Sequence, residues 1–123
     1  NEMVQRDIKI ISLADTVGVA TAEQISTALN TLIPKYKEIE FGVHLHSTVG
    51  NRQEKLEAAV HAGCKRFDGA LKGIGGCPMA QDELVGNMDS VFLIEYFHKK
   101  NLLNNLNEAA LAESLNIASE IFI

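Results

Sequence analysis

The 123 residues carry 16 acidic against 11 basic side chains, a net charge of -5, and 46% of them are hydrophobic. This composition fits a single folded unit with an ordinary core, and the lack of a basic stripe argues against nucleic acid or an anionic membrane as partner. Two cysteines, Cys64 and Cys77, are too few for a disulfide framework and read as reduced thiols, while no apolar run approaches the roughly 18 residues of a membrane span.

The sequence opens at Asn1 with no charged-then-apolar leader and runs almost at once into a strand, as a segment cut from a longer protein would. Ile8 to Leu13 is short, β-branched and nearly all apolar, which predicts a parallel strand covered on both faces. Thr21 and Gln24 form a capping-box pattern, and Ile25, Ala28, Leu29 and Leu32 fall on one stripe of a helix that Pro34 should end. Glu40 to His46 is a second strand. Asn51 with Glu54 three residues later opens a second helix, whose inward stripe is Leu56, Ala59, Val60 and Gly63.

A third strand is expected over Arg66 to Leu71, then a glycine-rich stretch to about Asn87. Two helices close the chain, Asp89 to His98 with Val91, Ile94 and Phe97 inward, and Asn107 to Ala118 with Leu111 and Leu115 inward. Alternating strands and amphipathic helices predict an α/β fold with a parallel sheet and right-handed crossovers. A (β/α)8 barrel takes eight strands and about 250 residues. Three strands would therefore be part of one, with open edges that either the rest of a longer chain or self-association must cover.

His44 and His46 are two apart on a predicted strand, so their side chains leave one face at its C-terminal end, where α/β barrels carry their sites. They are candidate ligands of one metal; a chance pair, with one histidine hydrogen-bonded and the other exposed, is the plain alternative. Cys77 sits among Gly73, Gly75, Gly76 and Gly86, where a loop can deliver a thiol to a substrate as proton donor or nucleophile; an incidental surface cysteine is the alternative. The glycine spacing matches neither a P-loop nor a dinucleotide fingerprint. Asp15, just past the first strand, is a candidate base or hydroxyl acceptor, or else a turn aspartate. Asp68 ranks below it, Cys64 reads as a small buried hydrophobe, and His61 and His98 read as helix-surface residues.

Ser12-Leu13-Ala14-Asp15-Thr16-Val17-Gly18, His44-Leu45-His46, Gly73-Ile74-Gly75-Gly76-Cys77-Pro78 and Gly86-Asn87 occur in an order and spacing that resemble the hydroxymethylglutaryl-CoA lyase family. The resemblance covers most of the first 97 residues, and the Gly75-Gly76-Cys77-Pro78 loop is its specific part. It implies that the strands are the sixth to eighth of a (β/α)8 barrel. It further implies that His44, His46 and Asn87 bind magnesium or manganese, with zinc less expected, and that an acyl-CoA is cleaved to acetoacetate and acetyl-CoA. By the same resemblance Cys77 serves in acid/base chemistry, His44 has a second role in proton transfer, and Asp15 lies near the substrate hydroxyl. The family's first strand supplies an arginine and a further aspartate ligand, so the isolated 123-residue chain is expected to be nearly inactive.

Two features depart from the family pattern. Ser47 stands where the family has an aspartate that could orient a ligand, and the helix opening Asn51-Arg52-Gln53-Glu54-Lys55 replaces a more apolar pattern. Other readings are an aldolase or acyl-CoA-dependent synthase of the same superfamily, a non-catalytic half-barrel that dimerises through its edges, and a structural zinc site of His44, His46, Cys64 and Cys77. The resemblance also implies a cytoplasmic location, or the mitochondrial matrix in a eukaryote.

Overall fold

The computed structural model describes residues 2–76 and 85–122. A short helix α1 (Glu2–Gln5) precedes β1 (Ile10–Asp15), α2 (Ala22–Lys35), β2 (Glu40–Leu45), α3 (Arg52–His61) and β3 (Arg66–Asp68). A 3-10 turn (Leu71–Gly73), α4 (Ser90–Lys99) and α5 (Glu108–Ile121) follow. The strands form one parallel sheet in the order β1-β2-β3, as the alternation of elements predicts. Among the described residues no helix is long and apolar enough to cross a membrane.

The local signals fix most boundaries. Thr21 Oγ1 accepts from Gln24 N at 3.2 Å and Gln24 Oε1 accepts from Thr21 N at 2.9 Å, which closes the predicted capping box of α2. The helix continues one residue beyond Pro34, to Lys35. Asn51 does not cap α3: its Oδ1 accepts from Thr48 N at 2.8 Å and closes the preceding turn instead. Asp89 and Asn107 cap α4 and α5, accepting from Val91 N and Ala110 N.

Packing corrects three expectations. β3 ends at Asp68 and not Leu71, because Gly69 admits the Met88 backbone and Ala70 N donates to Met88 O at 3.0 Å, diverting the chain from the sheet. α4 buries Leu93 and Tyr96, with Val91, Ile94 and Phe97 only half-buried, so its inward stripe is rotated from the predicted one. β1 is covered on one face within this chain: Ile11 and Leu13 pack on the core, whereas Ile10 is 49% exposed. The helices α2 and α3 cover the sheet face formed by Phe41, Val43 and Leu45, burying Ile25, Leu29, Leu56 and Ala59 against it. The opposite face holds the candidate chemistry.

Candidate active site

Parallel register sets which side chains share a face. Ala14 of β1 pairs with His44 of β2, and His44 with Asp68 of β3, so these three lie in one row at the C-terminal end of the sheet. His44 Nδ1 donates to Asp68 Oδ1. His46 Nδ1 donates to the Val85 carbonyl at 3.0 Å, and the two imidazole centroids are 5.2 Å apart. Each ring thus has Nδ1 occupied, which places the proton there and, among the described residues, leaves the Nε2 lone pair without a partner.

Asn87 is brought to the same place by backbone pairing. It forms an antiparallel bridge with His46, while Met88 N donates to Leu45 O and Ser47 N to Gly86 O, both at 3.0 Å. Its Nδ2 donates to Ile74 O at 2.7 Å, and its buried Oδ1 accepts no hydrogen bond from the described residues. An orphaned buried carbonyl is costly unless a further group satisfies it. Two imidazole nitrogens and an amide oxygen are donors that a divalent cation can take, and the orphaned Oδ1 is the observation that fits one. Among the described residues no three His, Cys, Asp or Glu side chains gather to hold a metal.

The glycines allow this approach. A Cβ on Gly86 would lie 2.6 Å from Gly73 O, and one on Gly75 would lie 2.9 Å from Asn87 Nδ2. Gly76 bridges to Gly86, so the two ends of the intervening loop are held together beside Asn87. Cys77 itself lies outside the described residues.

Asp15 is not brought into this cluster. It pairs in register with Leu45, on the helix-covered face, and is buried with both carboxylate oxygens engaged: Oδ1 accepts from Ala20 N at 3.0 Å and Oδ2 from Lys55 Nζ at 2.8 Å. Cys64 is the expected buried hydrophobe, its thiol 3.4 Å from Phe41 O, and burial pushes that thiol above its ordinary range. Two residues gain weight over their sequence reading. Asp68 provides the carboxylate that orients an imidazole, and Lys55, read as part of a polar helix opening, is 2% exposed. Lys55 directly precedes Leu56 and lies four residues from Ala59, the one local hint that it faces inward.

The HMGL-like family model matches residues 1–117, nearly the whole chain. The chain belongs to the HMGL-like family. It is 35% identical over 101 residues to an (R)-citramalyl-CoA lyase of Chloroflexus aurantiacus, covering 82% of this chain and 32% of that protein. It is 34% identical over 91 residues to a hydroxymethylglutaryl-CoA lyase of Bacillus subtilis, covering 72% and 30% respectively. The structure of a hydroxymethylglutaryl-CoA lyase of Acinetobacter baumannii, in complex with coenzyme A and 3-methylmalate, superposes with a TM-score of 0.75 at 29% identity, over 90% of this chain and 36% of that one. The chain therefore spans about a third of the length of these HMGL-like relatives, and its sheet and helices are part of a (β/α)8 barrel.

Proposed function

We propose that this chain is the C-terminal barrel segment of a longer lyase that cleaves a carbon-carbon bond of a 3-hydroxy-acyl-CoA with a divalent metal. Hydroxymethylglutaryl-CoA, giving acetoacetate and acetyl-CoA, is the leading substrate. The observation that carries the reading is the convergence of two Nδ1-anchored imidazoles, His44 and His46, on the bridge to Asn87, whose buried Oδ1 has no partner among the described residues.

His44 Nε2, His46 Nε2 and Asn87 Oδ1 would hold magnesium or manganese, with a carboxylate ligand supplied from the remainder of the barrel. A bound divalent ion lowers the cost of ionising the substrate hydroxyl and polarises a neighbouring carbonyl. The work of the chain's own residues is proton handling. The hydroxyl oxygen gives up its proton and becomes the ketone of acetoacetate, and the broken bond leaves its electron pair on the thioester α-carbon as an enolate. A proton then returns to that carbon to give acetyl-CoA. With Nε2 released from the ion, His44 suits the first transfer, because Asp68 fixes its tautomer and stabilises the imidazolium that results. Cys77 suits the second: it follows Gly76, whose bridge to Gly86 sets the base of the loop beside Asn87. Asp15, with both oxygens engaged, supports the site from the other face of the sheet.

The citramalyl-CoA lyase relative supports a second substrate reading. Citramalyl-CoA is also a 3-hydroxy-acyl thioester and differs by one methylene between the carbinol carbon and the carboxylate, so the same bond cleavage applies. Acetyl-CoA release from each thioester by the full-length protein, with magnesium or manganese, separates the two. Turnover of hydroxymethylglutaryl-CoA that is lost in Cys77→Ala and His44→Ala supports the first reading, turnover of citramalyl-CoA alone supports the second, and release of acetyl-CoA from neither rejects both.

A further inference from the structure

Lys55 is the largest of the fully buried side chains, and nothing in the proton chemistry above uses it. Its ammonium donates to Asp15 Oδ2 at 2.8 Å, to His46 O at 2.9 Å and to Gly18 O at 3.0 Å, so all three of its protons are spent. Those acceptors belong to the end of β1, the turn that follows it and the residue after β2. The turn also touches the site from a second direction: a Cβ on Gly18, which has φ +74°, would lie 2.7 Å from Val85 Cγ1 and 3.3 Å from His46 Cβ. Val85 is in turn the residue whose carbonyl accepts from His46 Nδ1. His46 is therefore held at its backbone by Lys55 and at its ring by Val85, and the Gly18 turn, to which Lys55 also donates, approaches both His46 and Val85 too closely to admit a side chain.

A buried ammonium is an expensive way to hold a fold, since desolvation is repaid only by complete hydrogen bonding and a counter-charge. It is a precise way to hold an atom, because charge-assisted bonds are short and directional. We propose that Lys55, neutralised by Asp15, is a positioning residue that fixes the backbone and ring of His46 from the helix side of the sheet. This rests on the metal-site reading of His46 in so far as the ring's purpose is ligation; the positioning itself is a property of the free protein.

The test uses the full-length protein, with Mn2+ affinity followed by the EPR signal of the free ion and the His46 ring nitrogens followed by 15N NMR without metal. Lys55→Met removes the donor. Because it strands Asp15 as a buried charge, the neutral double variant Lys55→Met/Asp15→Asn is measured beside it, and Leu29→Ala, a fully buried α2 position, controls for simple loss of stability. Both Lys55 variants are expected to weaken Mn2+ binding roughly 10- to 100-fold and to move the His46 nitrogen shifts toward the average of two tautomers. Leu29→Ala should lower Tm and leave both readouts alone. Unchanged affinity and unchanged His46 shifts in the double variant would overturn the proposal. Absence of Mn2+ binding by the wild-type protein would sink the metal reading of the site, and the His46 shifts alone would then decide the role of Lys55.

Discussion

Replacing Asp68 by Asn should separate what its contact with His44 does for stability from what it does for chemistry. Both side chains are substantially solvent-exposed, at 37% for His44 and 51% for Asp68, so solvent screens the pair. Exposed ion pairs of this kind are worth about 0 to 1 kcal/mol to the fold, which for a barrel-sized protein is a shift in Tm of a few degrees at most. The catalytic cost follows different arithmetic. Losing a carboxylate that orients a ligating or proton-accepting histidine costs on the order of 10- to 100-fold, roughly 1.4 to 2.7 kcal/mol of transition-state or metal-binding energy. Asn keeps the shape and can still accept from Nδ1, yet lacks the charge that stabilises an imidazolium. The assay is acetyl-CoA release by the full-length Asp68→Asn variant at saturating manganese, beside its melting curve. A fall of 10-fold or more in kcat/KM with Tm nearly unchanged is expected. A melting point lowered by many degrees with kcat/KM intact would show that Asp68 serves the fold, and that His44 needs no oriented proton.

The remaining predictions concern the segment by itself and its buried thiol. The purified 123-residue chain should show little or no lyase turnover and weak metal binding, since it spans about a third of its relatives and one face of β1 is left uncovered; substantial turnover in the same acetyl-CoA assay would refute this. Burial holds the Cys64 thiol neutral above its ordinary range, so its contribution to stability is full below the unfolded-state value of about 8.5 and is lost as pH rises past it. Denaturation midpoints of the full-length protein should therefore fall between pH 8 and 10, more steeply than those of Cys64→Ala, and parallel curves would exclude the thiol as the cause.

Periodicity made the elements legible. The apolar β-branched runs, the Thr21 and Gln24 capping box, and the two-residue spacing of His44 and His46 are local signals, and each yields the element or the shared face that the structure shows. What stayed hidden depends on contacts between distant segments. β3 is short because Met88 approaches Gly69, and no local pattern announces an approach across 19 positions of sequence. Asp68 reaches His44 only through the register of two strands separated by a helix. Lys55 looks like a solvated lysine because Gln53 and Glu54 beside it are polar, and its burial depends on a carboxylate 40 residues away.

Ser47 shows how such long-range contacts change the meaning of a motif. By resemblance that position should carry an aspartate, and its absence suggests a metal ligand left without an orienting partner. The structure gives both imidazoles a partner from elsewhere: Asp68 accepts from His44 Nδ1 and the Val85 carbonyl accepts from His46 Nδ1, while Ser47 Oγ donates to Met88 Sδ at 3.5 Å. The two rings therefore have defined tautomers without a carboxylate at 47. Relative to the family pattern, Ser47 lacks a negative charge at the rim of a cavity whose described lining includes Arg52, Lys72, Asn87 and Asp89. Under the proposed function, a change of that kind acts on which acid the rim accepts and leaves the roles proposed for His44, His46 and Asn87 in place, so exchanging Ser47 for Asp should shift the ratio of turnover between the two thioesters more than it shifts the reaction itself.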